Sequence, residues 1–251
     1  MAEFQIKIAG QVAKVSSLFE STRDYCSRYL TEEIPDFAVT VTRADMEREQ
    51  QLLEEEAREE GLRIRVFTDP FLERAVIQRK VAEHLLMCDT LLFHGSAVAV
   101  DGEGYLFTAN KCGTGKSTHT RLWRQVFGDR AVMVNDDKPF LQITERGIFL
   151  CGAPWSGKHG LDTNITVPLK GICILQRAAE NRICRISPEE AMPLLQKQGG
   201  QPLNPENQGI YHNLVSALAE KTTLWKLECT KEIQAARIAY EAMSGRCMEY
   251  E

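Results

Sequence analysis

Apolar positions along the first part of the chain follow two periods in turn. FQIKIAG (residues 4–10) and FAVTVT (37–42) place apolar side chains at every second position, as half-buried strands do. Between them, SLFESTRDYCSRYL (17–30) reads as helix. ADMEREQQLLEEEAREE (44–60) is highly charged, and with Met46, Leu52 and Leu53 turned inward it reads as a solvated helix with no assigned function. LRIRVF (62–67) returns to the strand pattern. These elements predict a small α+β unit over residues 1–68.

A helix is expected from Asp69 to Met87, where Phe71, Leu72, Val76, Val81 and Leu85 recur near helical spacing. Beyond it the pattern changes to TLLFHGSAVAV (90–100) as one strand, a DGEG turn, and YLFTA (105–109) as a second strand. THTRLWRQVF (118–127) is helix-compatible, with Gly128 to end it, and AVMVNDD (131–137) is a buried-strand run closing on acids. GIFLC and LKGICIL are further strands, and Ile210 to Met243 reads as helix, short strand TLWKLEC and final helix. The fold class expected is therefore α/β (α+β overall), with a second domain over residues 69–251.

The residues between the second strand and its helix, NKCGTGKST (110–118), carry the GK[ST] core of a Walker A loop in the order that motif requires. Gly113 and Gly115 allow positive backbone dihedrals, so that successive N–H groups can point at phosphate oxygens beside a helix N-terminus. Cys112, Gly113, Thr114, Gly115, Lys116, Ser117 and Thr118 are the nucleotide-binding candidates. Lys116 would reach the β- and γ-phosphates, Ser117 would place its hydroxyl on Mg²⁺, and Thr118 would assist. Asn110 stands where the full motif has its first glycine. Cys112, beside Lys116 and a helix N-terminus, would have an acidified, oxidisable thiol.

A right-handed β-α-β unit returns its second strand to the same sheet edge, so Asp136 and Asp137 should face the phosphate loop from a near-neighbour strand. Mg²⁺ takes one or two carboxylates alongside nucleotide phosphates, and transfer to an alcohol needs a base at the acceptor oxygen; two aspartates can divide these tasks. Downstream, APWSGKHG (153–160) offers Trp155, Ser156 and Lys158 as an aromatic wall and polar contacts to acceptor or phosphate, although a surface turn would read the same way. Arg121 and Arg124 on the helix after the loop read as solvated.

The ordered series of His94-Gly95, the loop CGTGKS, a short helix and NDD resembles HPr kinase/phosphorylase and its relatives, a P-loop group that also includes phosphoenolpyruvate carboxykinases. The resemblance covers roughly residues 91–175. It implies a P-loop mixed-sheet core of that type, with His94 as an active-site residue close to the phosphates, Lys116 and Ser117 as the phosphate and metal residues, Asp137 as the catalytic base and Asp136 as a metal ligand. It also implies ATP and Mg²⁺ as cofactors, and homo-oligomers. The family's glutamate ligand and Arg-Gly-Leu-Gly stretch have no counterpart in CGAPWSGKHG. The acceptor and phosphorylase activity are therefore not carried over.

Composition narrows the classes further. The 251 residues are 43% hydrophobic, which suits a buried core, and a formal net charge of -5 with interspersed signs argues against nucleic acid. No run approaches the roughly 20 apolar residues that span a bilayer, and MAEFQIKIAG is charged where a signal peptide is apolar, so a cytoplasmic protein is expected. The eight cysteines form no CxxC pair and read mostly as small buried hydrophobes. The function expected is a kinase transferring the γ-phosphoryl of ATP to a hydroxyl, as on a serine of a protein or peptide, with a small-molecule kinase or a non-catalytic ATP sensor as alternatives.

Overall fold

The computed structural model describes residues 1–59, 61, 63–111 and 113–248, and the chain divides into two compact units at Leu85/Leu86. The first unit holds strands β1 (Ala2–Ile8) and β2 (Gln11–Ser17), helix α1 (Glu20–Tyr25), strand β3 (Phe37–Thr40), and helices α2 (Arg43–Glu59) and α3 (Asp69–Leu86). β1 and β2 are antiparallel around a two-residue turn, Ala9–Gly10, and β3 lies parallel to β2. The first unit is α+β in content and runs to Leu85, past the boundary at residue 68 expected from sequence.

Three details differ from the sequence reading. β2 was not anticipated, because its short apolar run sits next to an equally short helix and no Asn-Gly or Asp-Gly pair marks the turn. The segment 63–67, expected as a strand, is unpaired; the Gln50 side chain donates to the Arg65 carbonyl (2.9 Å) and accepts from Phe67 N–H (3.1 Å), occupying groups a neighbouring strand would use. α3 belongs with this unit and not with the residues that follow. Its Glu73 carboxylate is fully buried and accepts hydrogen bonds from the N–H groups of Leu18 and Phe19 and from the Thr22 hydroxyl, capping α1 in place of a local side chain.

The second unit contains β4 (Thr90–Leu92), β5 (Ser96–Val100), β6 (Glu103–Thr108), α4 (Lys116–Phe127), β7 (Ala131–Asn135), β8 (Phe140–Thr144), β9 (Gly147–Cys151), β10 (Thr166–Arg177), β11 (Arg182–Arg185), α5 (Pro188–Gln198), α6 (Gln208–Lys221), β12 (Leu224–Cys229) and α7 (Ile233–Ser244). Nine of its strands form one mixed sheet, in the order β4-β8-β9-β10-β6-β5-β7, with β12 pairing β10 and β11 pairing β12. The fold is mixed α/β.

Period-two alternation sorts the core between the two sheet faces. Ala97, Ala99, Leu106 and Ile172 pack with Leu195 of α5 and with Tyr211, Leu214 and Leu218 of α6. Val98, Val100, Tyr105, Phe107 and Cys173 pack instead with Trp123 and Phe127 of α4 and Tyr240 of α7. Helices cover both faces, which is why β5 and β6 are almost continuously buried. Of the seven described cysteines, Cys26, Cys151 and Cys173 are buried while Cys184 and Cys247 are exposed, so burial accounts for fewer of them than expected. No helix among the described residues is long and apolar enough to cross a membrane.

Candidate functional site

The strand expected over 90–100 breaks at Phe93, His94 and Gly95, and that break builds the site. Phe93 bridges to Gly199, His94 N–H donates to the Gln198 carbonyl (2.8 Å), and Gly95 N–H donates to the Asp137 carbonyl (3.0 Å). The chain thereby leaves β4 and restarts as β5, which lies antiparallel to both β6 and β7. β6 and β7 are consequently parallel, with β5 inserted between them and not direct neighbours. Their C-terminal ends are level: Ser96 stands opposite Phe107 of β6 and Ala97 opposite Asn135 of β7. The loop after β6, the aspartates after β7 and His94 before β5 therefore meet on one sheet edge.

On the loop side, Gly113 and Gly115 adopt φ of +76° and +123°, and α4 begins at Lys116. A helix leaves its first N–H groups without intrahelical partners, and the positive φ at Gly115 is what turns the chain into that helix. Asn110 is absent from the positive-φ residues, so the start of the loop needs no glycine in this conformation. Its carbonyl accepts from Lys197 of α5 at 3.4 Å. Cys112 lies outside the described residues. The Ser117 and Thr118 hydroxyls make no hydrogen bond among the described residues, which leaves both available to a ligand. Arg121 and Arg124 are exposed.

On the acidic side, Asn135 sets the turn. Its Oδ1 accepts from the N–H groups of Asp137 (2.8 Å) and Lys138 (2.6 Å), while its Nδ2 donates to the carbonyls of Ala153 (2.7 Å) and Trp155 (3.3 Å). Asp136 is only 6% exposed; its Oδ1 accepts from the Ser96 hydroxyl (2.6 Å), which also bonds Thr120 of α4 (2.7 Å). That chain of hydroxyls ties β5, the end of β7 and the helix after the glycine loop together. Asp137 is more open, with 38% of its side chain exposed and its Oδ1 3.4 Å from His94 Nε2.

Burial raises the Asp137 carboxyl above the usual range, against the attraction of Lys138 and Lys116, and the Asp136 charge adds to the rise. Burial also pushes His94 down to about 3, assisted by the same two lysines and opposed by the nearby Gln198 side chain. His94 is therefore neutral at physiological pH, and its contact with Asp137 is not a salt bridge. The Lys116 charge acts on both His94 and Asp137, so residues from three separate segments share one electrostatic site.

The APWSGKHG segment is only partly what its sequence implied. Gly157 presses on Asp137, where an added Cβ would come 3.1 Å from that residue's Cβ. Trp155, however, is buried edge-on against Phe140, and the Ser156 hydroxyl is buried and donates to Asp162 Oδ2 (2.7 Å). Neither is an open wall, because Asn135 and Asp162 draw this segment inward. Lys158 alone of the three is exposed. Sequence reasoning missed Gln198, Lys197 and Arg177, which reach the site from α5 and β10, and it gave no role to Lys138 or Asn135.

These residues suit a nucleotide with Mg²⁺. Asp136 keeps its second carboxylate oxygen without a hydrogen bond among the described residues, Ser117 offers a hydroxyl, and an added Cβ at Gly113 would meet nothing within 4 Å, so a phosphate has room to approach the backbone. Among the described residues no three His, Cys, Asp or Glu side chains gather as a metal cage. Phosphate-bound Mg²⁺ requires only one or two carboxylates.

One buried imidazole, His119, and one half-buried imidazole, His94, make the fold acid-labile. His119, on α4 beneath the loop, accepts from Trp123 Nε1 (3.1 Å) and is likewise held down to about 3 by burial. An unfolded chain protonates both histidines near 6.5, whereas the folded one does so only near 3, so the unfolded state binds more protons within that window. Stability is then fully present above pH 6.5 and falls below it, by about 1.4 kcal/mol per pH unit for buried His119 and by less for half-buried His94, whose charge water screens. The raised Asp137 acts in the opposite sense, near the acid end of the window. Urea denaturation at pH 7, 5.5 and 4.5 checks this, and a midpoint that does not move would contradict it.

No family model matches the chain, and no curated protein matches it. Among solved structures the chain is similar to the HPr(Ser) kinase/phosphatase from Coxiella burnetii, at 14% identity over 61% of this chain and 93% of that chain, with a TM-score of 0.34. A likeness of that size decides nothing about chemistry.

Proposed function

We propose that this chain is an ATP-dependent phosphotransferase that moves the γ-phosphoryl group to a hydroxyl, as on a serine of a protein or peptide, or on a small alcohol. The observation that carries the reading is the convergence on one sheet edge of a glycine loop opening a helix, Lys116, and the Asp136–Asp137 pair. The sequence resemblance noted above, carried by the same loop and aspartates together with His94, agrees with it.

In this reading the N–H groups at the start of α4 and the Lys116 ammonium hold the β- and γ-phosphates. Asp136 and Ser117 would hold Mg²⁺, which supplies charge neutralisation on those phosphates. Asp137 faces the acceptor, and its raised affinity for a proton suits a general base. The acceptor oxygen forms a bond to the γ-phosphorus as the bond from that phosphorus to the β–γ bridging oxygen breaks. The hydroxyl proton passes to Asp137, and ADP leaves. His94, being neutral, adds no further positive charge beside Asp137, and its contact at 3.4 Å helps to position the carboxylate.

The test is direct. With γ-labelled ATP, Mg²⁺ and a lysate of the source organism, the full chain should label an acceptor. Lys116→Ala should weaken ATP binding by at least about tenfold, since a charge-assisted phosphate contact is lost. Tight ATP binding without any transfer would favour a nucleotide sensor instead, and failure to bind ATP would remove both readings.

A further inference from the structure

We infer that Arg177 is a positioning residue that sets the phosphate loop before nucleotide arrives, an inference that rests on the reading of that loop given above. Arg177 is the last residue of β10, where Ile174 stands opposite Thr108 at the end of β6, so it overhangs the sheet edge from which the loop departs. Its backbone is anchored on the far side by pairing with Cys229 of β12. The guanidinium Nε donates to the Thr114 carbonyl at 3.1 Å and Nη2 donates to the Gly113 carbonyl. One rigid fork therefore holds two consecutive peptide units.

The consequence follows from peptide geometry. A trans peptide is planar, with its C=O and N–H pointing in opposite directions, so fixing the Gly113 and Thr114 carbonyls also fixes the directions of the Thr114 and Gly115 N–H groups. Thr114 N–H closes a turn onto the Lys111 carbonyl (3.4 Å), reinforced by the Thr114 hydroxyl on the same oxygen (2.8 Å). Gly115 N–H is thereby directed away from Arg177, immediately before the first helical residue. The two glycines flanking Thr114 are the least restrained residues of the loop, and without an external clamp their peptide planes would be free to turn over. Lys197 provides a weaker third hold at Asn110.

Lysine does not replace arginine here. Its single ammonium can satisfy one carbonyl but cannot fix two planes through a rigid fork. Arg177→Lys should thus restore only part of what Arg177→Ala loses, which a purely electrostatic role would not require.

Two measurements test the inference. Hydrogen–deuterium exchange of the nucleotide-free protein should show the Thr114 and His119 amides, which bond the Lys111 and Gly115 carbonyls, exchanging about tenfold faster in Arg177→Ala, with Arg177→Lys intermediate and the rest of α4 and β10 unchanged. Titration with ATP and with ADP should show dissociation constants raised about tenfold in Arg177→Ala, with kcat at saturation within about twofold of wild type. Unchanged exchange would overturn the inference, as would faster exchange spread through β10 and α4. A fall in kcat with unchanged affinity would also overturn it, by making Arg177 a contact of the transferring group. If the loop loosens in Arg177→Ala while the wild-type protein binds no nucleotide, the clamp stands and the phosphotransferase reading falls.

Discussion

Asp137→Asn is expected to lower phosphoryl transfer by about 10²–10⁴-fold, the usual contribution of a general base, while ATP binding stays within a few-fold of wild type. The substitution keeps the side chain's shape and its packing against Gly157. It also leaves the turn intact, because Asn135 bonds the backbone N–H of residue 137 and not its carboxylate. What is lost is the proton acceptor. The Gly95 N–H bond to the Asp137 carbonyl is likewise untouched, so the start of β5 should not shift. Single-turnover transfer from γ-labelled ATP, measured beside an equilibrium ATP titration, separates the two effects. Equal slow turnover in both proteins would exclude Asp137 as the base.

Gly152→Ala is expected to destabilise the protein by about 3 kcal/mol or more, at or beyond the upper end of ordinary overpacking. Gly152 is buried just after β9, with its N–H bonded to the Ile165 carbonyl at 2.9 Å. A Cβ there would stand 1.9 Å from the Thr163 carbonyl oxygen and 3.1 Å from that of Val134. Both obstacles are backbone, so no rotamer change relieves the clash. Thr163 is itself bonded to Val134 (3.2 Å), the residue before Asn135, and any accommodating shift would displace the acidic turn. Urea unfolding of the variant should give a much lower midpoint with transfer activity reduced in parallel. A variant with unchanged midpoint and rate would show that the backbone can yield at this point.

The legibility of this site follows from how far apart its parts lie in the chain. The loop glycines, Lys116 and Ser117 form one contiguous run, and Asp136–Asp137 closes the next strand, so local pattern alone found both. His94 was found by resemblance, but its setting was misread: TLLFHGSAVAV is apolar enough to be a single strand, and only pairing with Gly199 and Asp137 breaks it in two. Arg177 and Lys197 donate to loop carbonyls across separations of 63 and 87 residues, and no local pattern distinguishes them from other surface cations. Trp155 read as an exposed aromatic because glycines and charges surround it. The Asn135 amide, bonding the carbonyls on either side of Pro154, turns that segment inward.

By itself the sequence determined the elements that local physics dictates. These are the strand–glycine loop–helix order, the acidic end of the following strand, and the alternation of strand and helix patterns that marks an α/β chain. Tertiary structure decided which strands are neighbours, inserting β5 between β6 and β7, and it decided which of the two aspartates is buried and which faces outward. It also decided which distant cations hold the loop. The physical reason is that periodicity and motif spacing report interactions within a few residues. Strand pairing, burial and the hydrogen bonds of a loop's carbonyls are settled by groups that only folding brings together.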